Sequence, residues 1–419
     1  MNASTGNGIT AITTAPQPTP IDQLRRAVAH LDPPFGVLDD SALTANALDM
    51  VRRAGNKSIR LATKSVRIRS LISRIVGVPG FAGLLAYTLP EALWLHAPHS
   101  GGTAGDHGFD NIVIGYPTVH RQAIAALAAS ESAAAAITLM VDDPAQLDLI
   151  DSIGAPGSRP EIRVCLELDA AYRPAPGVHL GALRSPLHSA KDARRMAEYV
   201  HHRKGFRLVG MMAYEGQIAG VGNAGGGPRQ AAVRVMQRRS AAELAQRRAT
   251  VIAAVSEVAE LEFVNGGGTG SLEITTREDA VTELAAGSGL LGPGLFDLYH
   301  NFQPGPAAFF VLPVVRRPDR RTVTLLGGGW IASGPPGEFR QPTLADPAGL
   351  HYIGDEGAGE VQTPLRGRPA RRLSIGDTVW LRHAKAGELA EHLNEVQLVR
   401  RGKVDEVLNT YRGDGQAFL

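Results

Sequence analysis

Two short stretches carry residue types from which covalent chemistry could be built. The first is Ser58-Ile59-Arg60-Leu61-Ala62-Thr63-Lys64-Ser65-Val66-Arg67. Its apolar run stops at Thr63 and a helical pattern follows, which places Lys64 at the carboxyl end of an early strand. A partly desolvated lysine there can have a depressed pKa and form a Schiff base with a carbonyl. An exposed loop lysine is the alternative at the same position. The second stretch, Asn265-Gly266-Gly267-Gly268-Thr269-Gly270-Ser271, follows the apolar run 261–264. Three consecutive glycines leave backbone N–H groups unobstructed, and Thr269 and Ser271 add hydroxyl donors. Such a nest can cradle a phosphate, although a plain glycine turn has the same composition. No Gly-Lys-Ser/Thr follows, so it is not a Walker loop, and the long helix before it argues against a dinucleotide fingerprint. Ala286-Gly287-Ser288-Gly289 repeats the theme one strand later. An amine for an aldehyde, together with donors for a phosphate, points to pyridoxal phosphate.

These residues need a frame. Apolar runs at 35–38, 59–63, 83–87, 111–115, 137–141, 162–168, 208–213, 261–264 and 283–286 read as strands. Helical patterns fall between most of them, at 42–53, 67–75, 90–96, 119–129, 145–153, 190–202 and 230–259, after a short amphipathic one at 21–31. Asp143 and Pro144 stand where an N-cap and a first-turn proline belong. Strand–helix alternation over about 250 residues predicts a parallel sheet with right-handed crossovers. The fold class is therefore α/β. Eight strands close a (β/α)8 TIM-type barrel, and the ninth run would lie outside it. An open doubly wound sheet gives the same local pattern. Beyond residue 300 the runs 309–315, 322–326, 378–381 and 395–399 predict a mostly β C-terminal domain, with one helix at 386–392. Residues 316–321 and 335–349 read as surface loops or hairpin tips. Residues 1–20, rich in Thr, Ala, Gly and Pro, read as a flexible leader.

The chain has 419 residues, 44% of them hydrophobic and 20% charged, so a large core is available and global disorder is excluded. Lysine and arginine number 43 against 41 acidic residues, a charge of +2 that argues against nucleic acid as a main partner. The single cysteine, Cys165, excludes an internal disulfide framework and a multi-cysteine zinc site. The alanine-rich stretch 123–141 is broken by Ser130, Glu131 and Ser132 and does not read as a membrane span. No secretion signal is visible, so the expectation is a soluble, cytoplasmic protein without a membrane partner.

The motifs also resemble those of a known group. Asp32-Pro33-Pro34-Phe35-Gly36-Val37-Leu38-Asp39 resembles the opening strand of the D-threonine aldolase and D-serine dehydratase family of fold type III pyridoxal-phosphate enzymes. Arg60-Leu61-Ala62-Thr63-Lys64-Ser65 is similar to that family's cofactor-lysine motif. Met212-Ala213-Tyr214-Glu215-Gly216 resembles its Ala-Tyr-His-Gly segment, 265–271 its phosphate loop, and Gly376-Asp377-Thr378-Val379-Trp380-Leu381-Arg382-His383 the approach to its metal-binding histidine. The order is shared from about residue 31 to residue 400.

The resemblance implies an alanine-racemase-like architecture: a cofactor-binding barrel over 41–296, and a β domain over 297–419 that also takes in 21–40. It makes Lys64 the Schiff-base lysine and places Tyr214 beside the cofactor ring. Gly267, Gly268, Thr269, Gly287 and Ser288 would hold the phosphate, and Arg173 or His179 would face the pyridine nitrogen. It also implies a homodimer and a small amino acid substrate, and it makes a divalent metal, manganese or zinc, a candidate second cofactor. For that metal His383 is present, but Lys385 replaces the usual second ligand, leaving Glu388, His392 and Glu395 as nearby substitutes. Glu215 stands where the family has a histidine. The activity the resemblance implies is lyase chemistry on a small β-hydroxy amino acid of D configuration, by retro-aldol cleavage or dehydration. Lys64 would be the base on one face, with Tyr214, Glu215 or His383 acting on the other. The alternatives are an amino acid racemase, a non-catalytic pyridoxal-phosphate carrier, and a barrel enzyme forming a Schiff base with a sugar.

Overall fold

The structure, a computed structural model, describes residues 15–99, 107–335 and 337–419. Nine strands precede residue 300: β1 (Phe35–Asp39), β2 (Ser58–Ala62), β3 (Phe81–Ala86), β4 (Ile112–Ile114), β5 (Ile137–Val141), β6 (Ile162–Glu167), β7 (Phe206–Ala213), β8 (Phe263–Gly266) and β9 (Glu283–Ala286). Strands β2 to β9 form a closed parallel barrel in sequence order. Pairing of Ser58 with Glu283 through Leu61 with Ala286 shuts the ring. The closed barrel, not the open doubly wound sheet, is the architecture. Strands covered on both faces need continuous apolar runs, and Ile137–Val141 is buried at all five positions. The helix Pro144–Ile153 starts on the expected cap. The Asp143 carboxylate accepts the Ala145 N–H at 2.8 Å, and Gln146 completes a capping box.

Near the amino-terminal ends of the strands, Arg60 and Glu283 form a two-pronged buried ion pair, with contacts of 2.6 and 2.8 Å. Asn265 donates to the same carboxylate at 2.8 Å, and Arg60 reaches Asn111 at 2.7 Å. A paired and hydrogen-bonded charge of this kind ties the strands together without an uncompensated buried charge.

Strand β1 is the one outside the barrel. It lies between β10 (Ala308–Asp319), antiparallel, and β16 (Glu395–Arg400), parallel, in a nine-stranded sheet. The other members are β11 (Thr322–Leu326), β12 (Thr343–Asp346), β13 (Leu350–Tyr352), β14 (Gln362–Gly367), β15 (Thr378–Arg382) and β17 (Lys403–Asn409). Four of these, β12, β13, β14 and β17, escaped the sequence reading, and β12 lies inside the supposed loop 335–349. Their alternation is too polar to show: β12 has no fully buried residue and β17 only one. The expected helix at 386–392 is a 3-10 turn, Gly387–Glu391. The pattern at 119–129 is the helix Arg121–Ala128, and a further short helix, Glu131–Ala136, capped by Ser130, follows it outside the predicted pattern. Of the supposed leader, 1–14 lies outside the described residues. Thr19 is held by two 2.7 Å hydrogen bonds to the Asp39 carboxylate.

Barrel and sheet meet at Glu91, a buried residue of the helix Leu89–His96. Its carboxyl accepts the Tyr87 N–H at 2.7 Å and the Tyr411 hydroxyl at 2.9 Å. Burial outweighs those donors and pushes its pKa up to about 7, and burial does the same to Glu167. Both carboxyls therefore bind a proton more tightly folded than unfolded. That contribution to stability is complete below the unfolded carboxylate range, near 4.5, and is lost as pH rises toward 7. Thermal unfolding followed by circular dichroism should show a melting temperature that falls from pH 5 to pH 7. Glu91→Gln should flatten that slope; an unchanged slope would reassign it. Among the described residues no helix is long and apolar enough to cross a membrane.

Candidate active site

One cavity of about 350 Å3 opens at the carboxyl ends of the barrel strands. Its wall brings together Lys64, Tyr214, Gly267, Gly268, Thr269, Gly287 and Ser288, residues separated by up to 224 positions in the chain. The carboxyl rim is where a parallel barrel gathers functional side chains.

Lys64 lies in a 3-10 turn, Thr63–Ser65, that directly follows β2. The turn is clamped from behind. Arg67 adopts a φ of 54° and donates from its Nε to the Lys64 carbonyl at 2.9 Å, while its own carbonyl accepts the Tyr411 N–H at 2.9 Å. A left-handed arginine is uncommon and persists where surrounding contacts over-determine it. The β domain presses on the same turn: a Cβ on Gly387 would fall 2.3 Å from the Lys64 carbonyl oxygen, so only glycine fits there.

Tyr214 follows β7. Burial, with smaller contributions from Glu215 and Tyr116 set against Arg184, pushes its phenol up to about 12, which keeps the proton on at neutral pH. Glu215 is not a cavity group. Buried to 1% exposure, it pairs with Arg248 at 3.1 Å and accepts the Gly267 N–H at 3.1 Å and the Ser271 hydroxyl at 3.0 Å; Thr275 also donates to it. It is the post that holds the glycine loop in shape, which corrects its assignment to acid–base work.

The loop itself differs from the sequence reading in one respect. The Gly267 N–H is spent on Glu215, and the Gly268 N–H goes to the Ser271 hydroxyl at 3.2 Å. From this loop and the one after it, Thr269 and Ser288 bring hydroxyls to the cavity, with their oxygens 3.2 Å apart. The glycines serve clearance. A Cβ on Gly287 would meet the Ala62 carbonyl oxygen at 2.4 Å, and one on Gly268 would meet Ala219 Cβ at 2.8 Å and the Tyr214 ring at 3.1 Å. Gly268→Ala should therefore push Tyr214 or the helix Gly216–Ala219 aside, at about 1–3 kcal/mol of strain. A cofactor titration should show roughly tenfold weaker binding; unaltered affinity would mean that the clearance is unused.

Several expected residues lie elsewhere. Arg173 and His179 do not line the cavity. Both surround the buried Asp169 carboxylate, Arg173 at 2.5 Å and His179 at 3.5 Å, with His188 at 3.2 Å. The arginine on the cavity wall is Arg184, which sequence reasoning missed; its guanidinium carbon lies 5.3 Å from the Tyr116 ring centre and 5.5 Å from that of Tyr214. It sits in the connection between β6 and the helix Ala190–His201, where no local periodicity marks it. Tyr116, Phe296 and Tyr299 complete the aromatic wall.

His383 is 1% exposed and does not line the cavity. Among the described residues neither of its ring nitrogens has a hydrogen-bond partner. Burial lowers its pKa to about 4, so the ring is neutral. Among the described residues the substitute ligands do not gather with it into a metal-holding group. Glu388 accepts the backbone N–H groups of Lys385 and Ala386 at 2.6 and 2.7 Å, and His392 stacks on Trp330 at 4.7 Å. Glu395 is exposed on β16. Among the described residues no three His, Cys, Asp or Glu side chains form a group able to hold a metal ion. The donor set therefore does not fit manganese or zinc, which corrects the metal expectation at His383.

The donor set does fit pyridoxal phosphate. The Lys64 amine, the Thr269 and Ser288 hydroxyls and the Tyr214 phenol line one cavity, and Gly268 and Gly287 stand where a side chain would collide with its surroundings. The volume is within the range of small-molecule sites.

Fold and site together define the chain as a (β/α)8 barrel joined to a β sheet, with a lysine and a hydroxyl-lined glycine cup at the barrel mouth. Solved structures share that architecture. D-threonine aldolase from Filomicrobium marinum superposes with a TM-score of 0.75 at 21% identity, covering 92% of this chain and 96% of its own. D-threo-3-hydroxyaspartate dehydratase from Delftia sp. HT23 gives 0.66 at 18% identity over 92% and 98%. Alanine racemase from Bacillus anthracis gives 0.58 at 16% identity over 91% and 98%. No protein-family model matches the chain, and no curated protein matches it by sequence.

Proposed function

We propose that the chain is a pyridoxal-phosphate-dependent lyase acting on a small β-hydroxy amino acid of D configuration, by retro-aldol cleavage or dehydration. The observation that carries this reading is the convergence of the Lys64 amine and the Thr269 and Ser288 hydroxyls on one cavity. The aldolase and dehydratase among the structures of the same fold support the lyase subtype. When bound, the cofactor supplies an electron sink for negative charge developing at the substrate's Cα.

The chain's own residues do the rest. Lys64 would hold the aldehyde end, and its amine, once released, is placed to accept a proton. Thr269 and Ser288 would donate to the phosphate. Tyr214 keeps its phenolic proton at neutral pH and is placed to donate a hydrogen bond. Arg184 offers a planar pair of donors suited to the substrate's carboxylate. Tyr116, Phe296 and Tyr299 keep water from the reacting atoms. The same reading takes the working form to be a homodimer, which sedimentation would check.

The test begins with purified protein and added pyridoxal phosphate. A new absorbance band, erased by borohydride with the label recovered on Lys64, is expected. D-threonine should then yield glycine and aldehyde, or D-serine ammonia and a keto acid. Loss of optical rotation without either product would instead indicate racemisation. A protein that stays colourless would overturn the reading.

A further inference from the structure

We infer that Lys385 supplies from its own side chain the positive charge that a divalent metal would otherwise bring to this cavity, and that it contacts the oxygen on the substrate's side chain. This rests on the lyase reading above. Lys385 follows β15 and reaches the cavity wall from the β domain, whereas Lys64 reaches it from the barrel. Its Nζ donates to the Ser333 carbonyl at 3.1 Å, with the Ser333 hydroxyl oxygen at 3.5 Å. An ammonium has three donors, so with both Ser333 oxygens engaged one is left for an occupant. The backbone on either side is pinned, because Lys385 and Ala386 both donate to Glu388 at 2.6 and 2.7 Å.

Among the cations on the wall, elimination assigns the contact. Thr269 and Ser288 suit a phosphate, Lys64 an aldehyde, and Arg184 a carboxylate. Lys385 is the remaining cation on the wall, and no Asp or Glu lines the cavity among the described residues. The same geometry disfavours a dication. An amine stands where an anionic ligand would be needed, and a positive charge beside a bound metal is repulsive. Glu388 is withdrawn into backbone hydrogen bonds, and His383 lies off the cavity wall.

The experiment uses the full chain loaded with pyridoxal phosphate. Stopped-flow amplitudes of the cofactor absorbance give dissociation constants for D-serine and for D-alanine, which lacks the hydroxyl. Lys385→Gln should weaken D-serine about 10- to 100-fold, the scale of a hydrogen bond to a charged group, and D-alanine less than about twofold. Lys385→Arg should restore much of the preference. Calorimetric titration of the wild-type protein with manganese or zinc should show no stoichiometric uptake, and chelator should leave turnover unchanged. An unchanged serine-to-alanine ratio in Lys385→Gln, or stoichiometric metal uptake, would overturn the inference. If Lys385→Gln does not fold, the arginine variant and the metal titration still decide. A protein that takes up no cofactor removes this inference and the lyase reading together, whereas one that takes it up with an unaltered ratio removes this inference alone.

Discussion

Lys64→Ala is expected to abolish borohydride-stable labelling and to lower kcat/KM by at least roughly 10²–10⁴-fold, the range for a lost general base, with loss of the covalent anchor added to it. The fold should survive. The Lys64 side chain is half-buried in a turn whose contacts run through its carbonyl, and alanine keeps that carbonyl. The unfolding free energy should therefore change by no more than about 0.5 kcal/mol. The decisive measurements are the absorbance spectrum and a peptide map after reduction, made beside a melting curve. A variant that keeps its label, or retains turnover, would show that the cavity works without this amine. A variant that melts early would show instead that the side chain braces the rim.

Glu215→Ala is expected to have the largest effect on stability. Arg248 is 1% exposed, and its two carboxylate partners are Glu215 at 3.1 Å and Glu278 at 2.5 Å. Breaking a buried pair typically costs about 3–5 kcal/mol, and the surviving Glu278 contact places this case near about 3 kcal/mol. The same change strips an acceptor from the Gly267 N–H and from the hydroxyls of Ser271 and Thr275. The glycine loop should loosen, so cofactor affinity falls along with the melting temperature. Glu215→Gln keeps an oxygen for the Gly267 N–H but not the charge, and should fall between. Denaturant titration paired with cofactor titration tests this. Loss of turnover at full stability and full cofactor affinity would return Glu215 to a chemical role.

The local chemistry of the barrel was legible in the primary structure because its strands are mostly buried on both faces and so read as largely apolar runs. All nine runs before residue 300 became strands, and Asp143 with Pro144 capped the helix they mark. The β domain was only half legible. Strands such as β12 and β17 face solvent and carry little apolar alternation, so their pairing, not their composition, makes them strands.

Within the site, residue type and position put forward Lys64, Thr269 and Ser288, since an amine at a strand end and hydroxyls among glycines are local signals, and the resemblance alone put forward Tyr214. Which groups face the cavity was decided by tertiary structure. Arg184 replaced Arg173 on the wall, because the buried Asp169 carboxylate draws Arg173 away. Glu215 turned from the cavity to Arg248, and the glycine N–H groups closed on Glu215 and Ser271. The linear chain determined which chemistries were available. Only folding assigned each buried charge its partner, because a charge removed from water takes the nearest compensating group in space, whatever its distance along the chain.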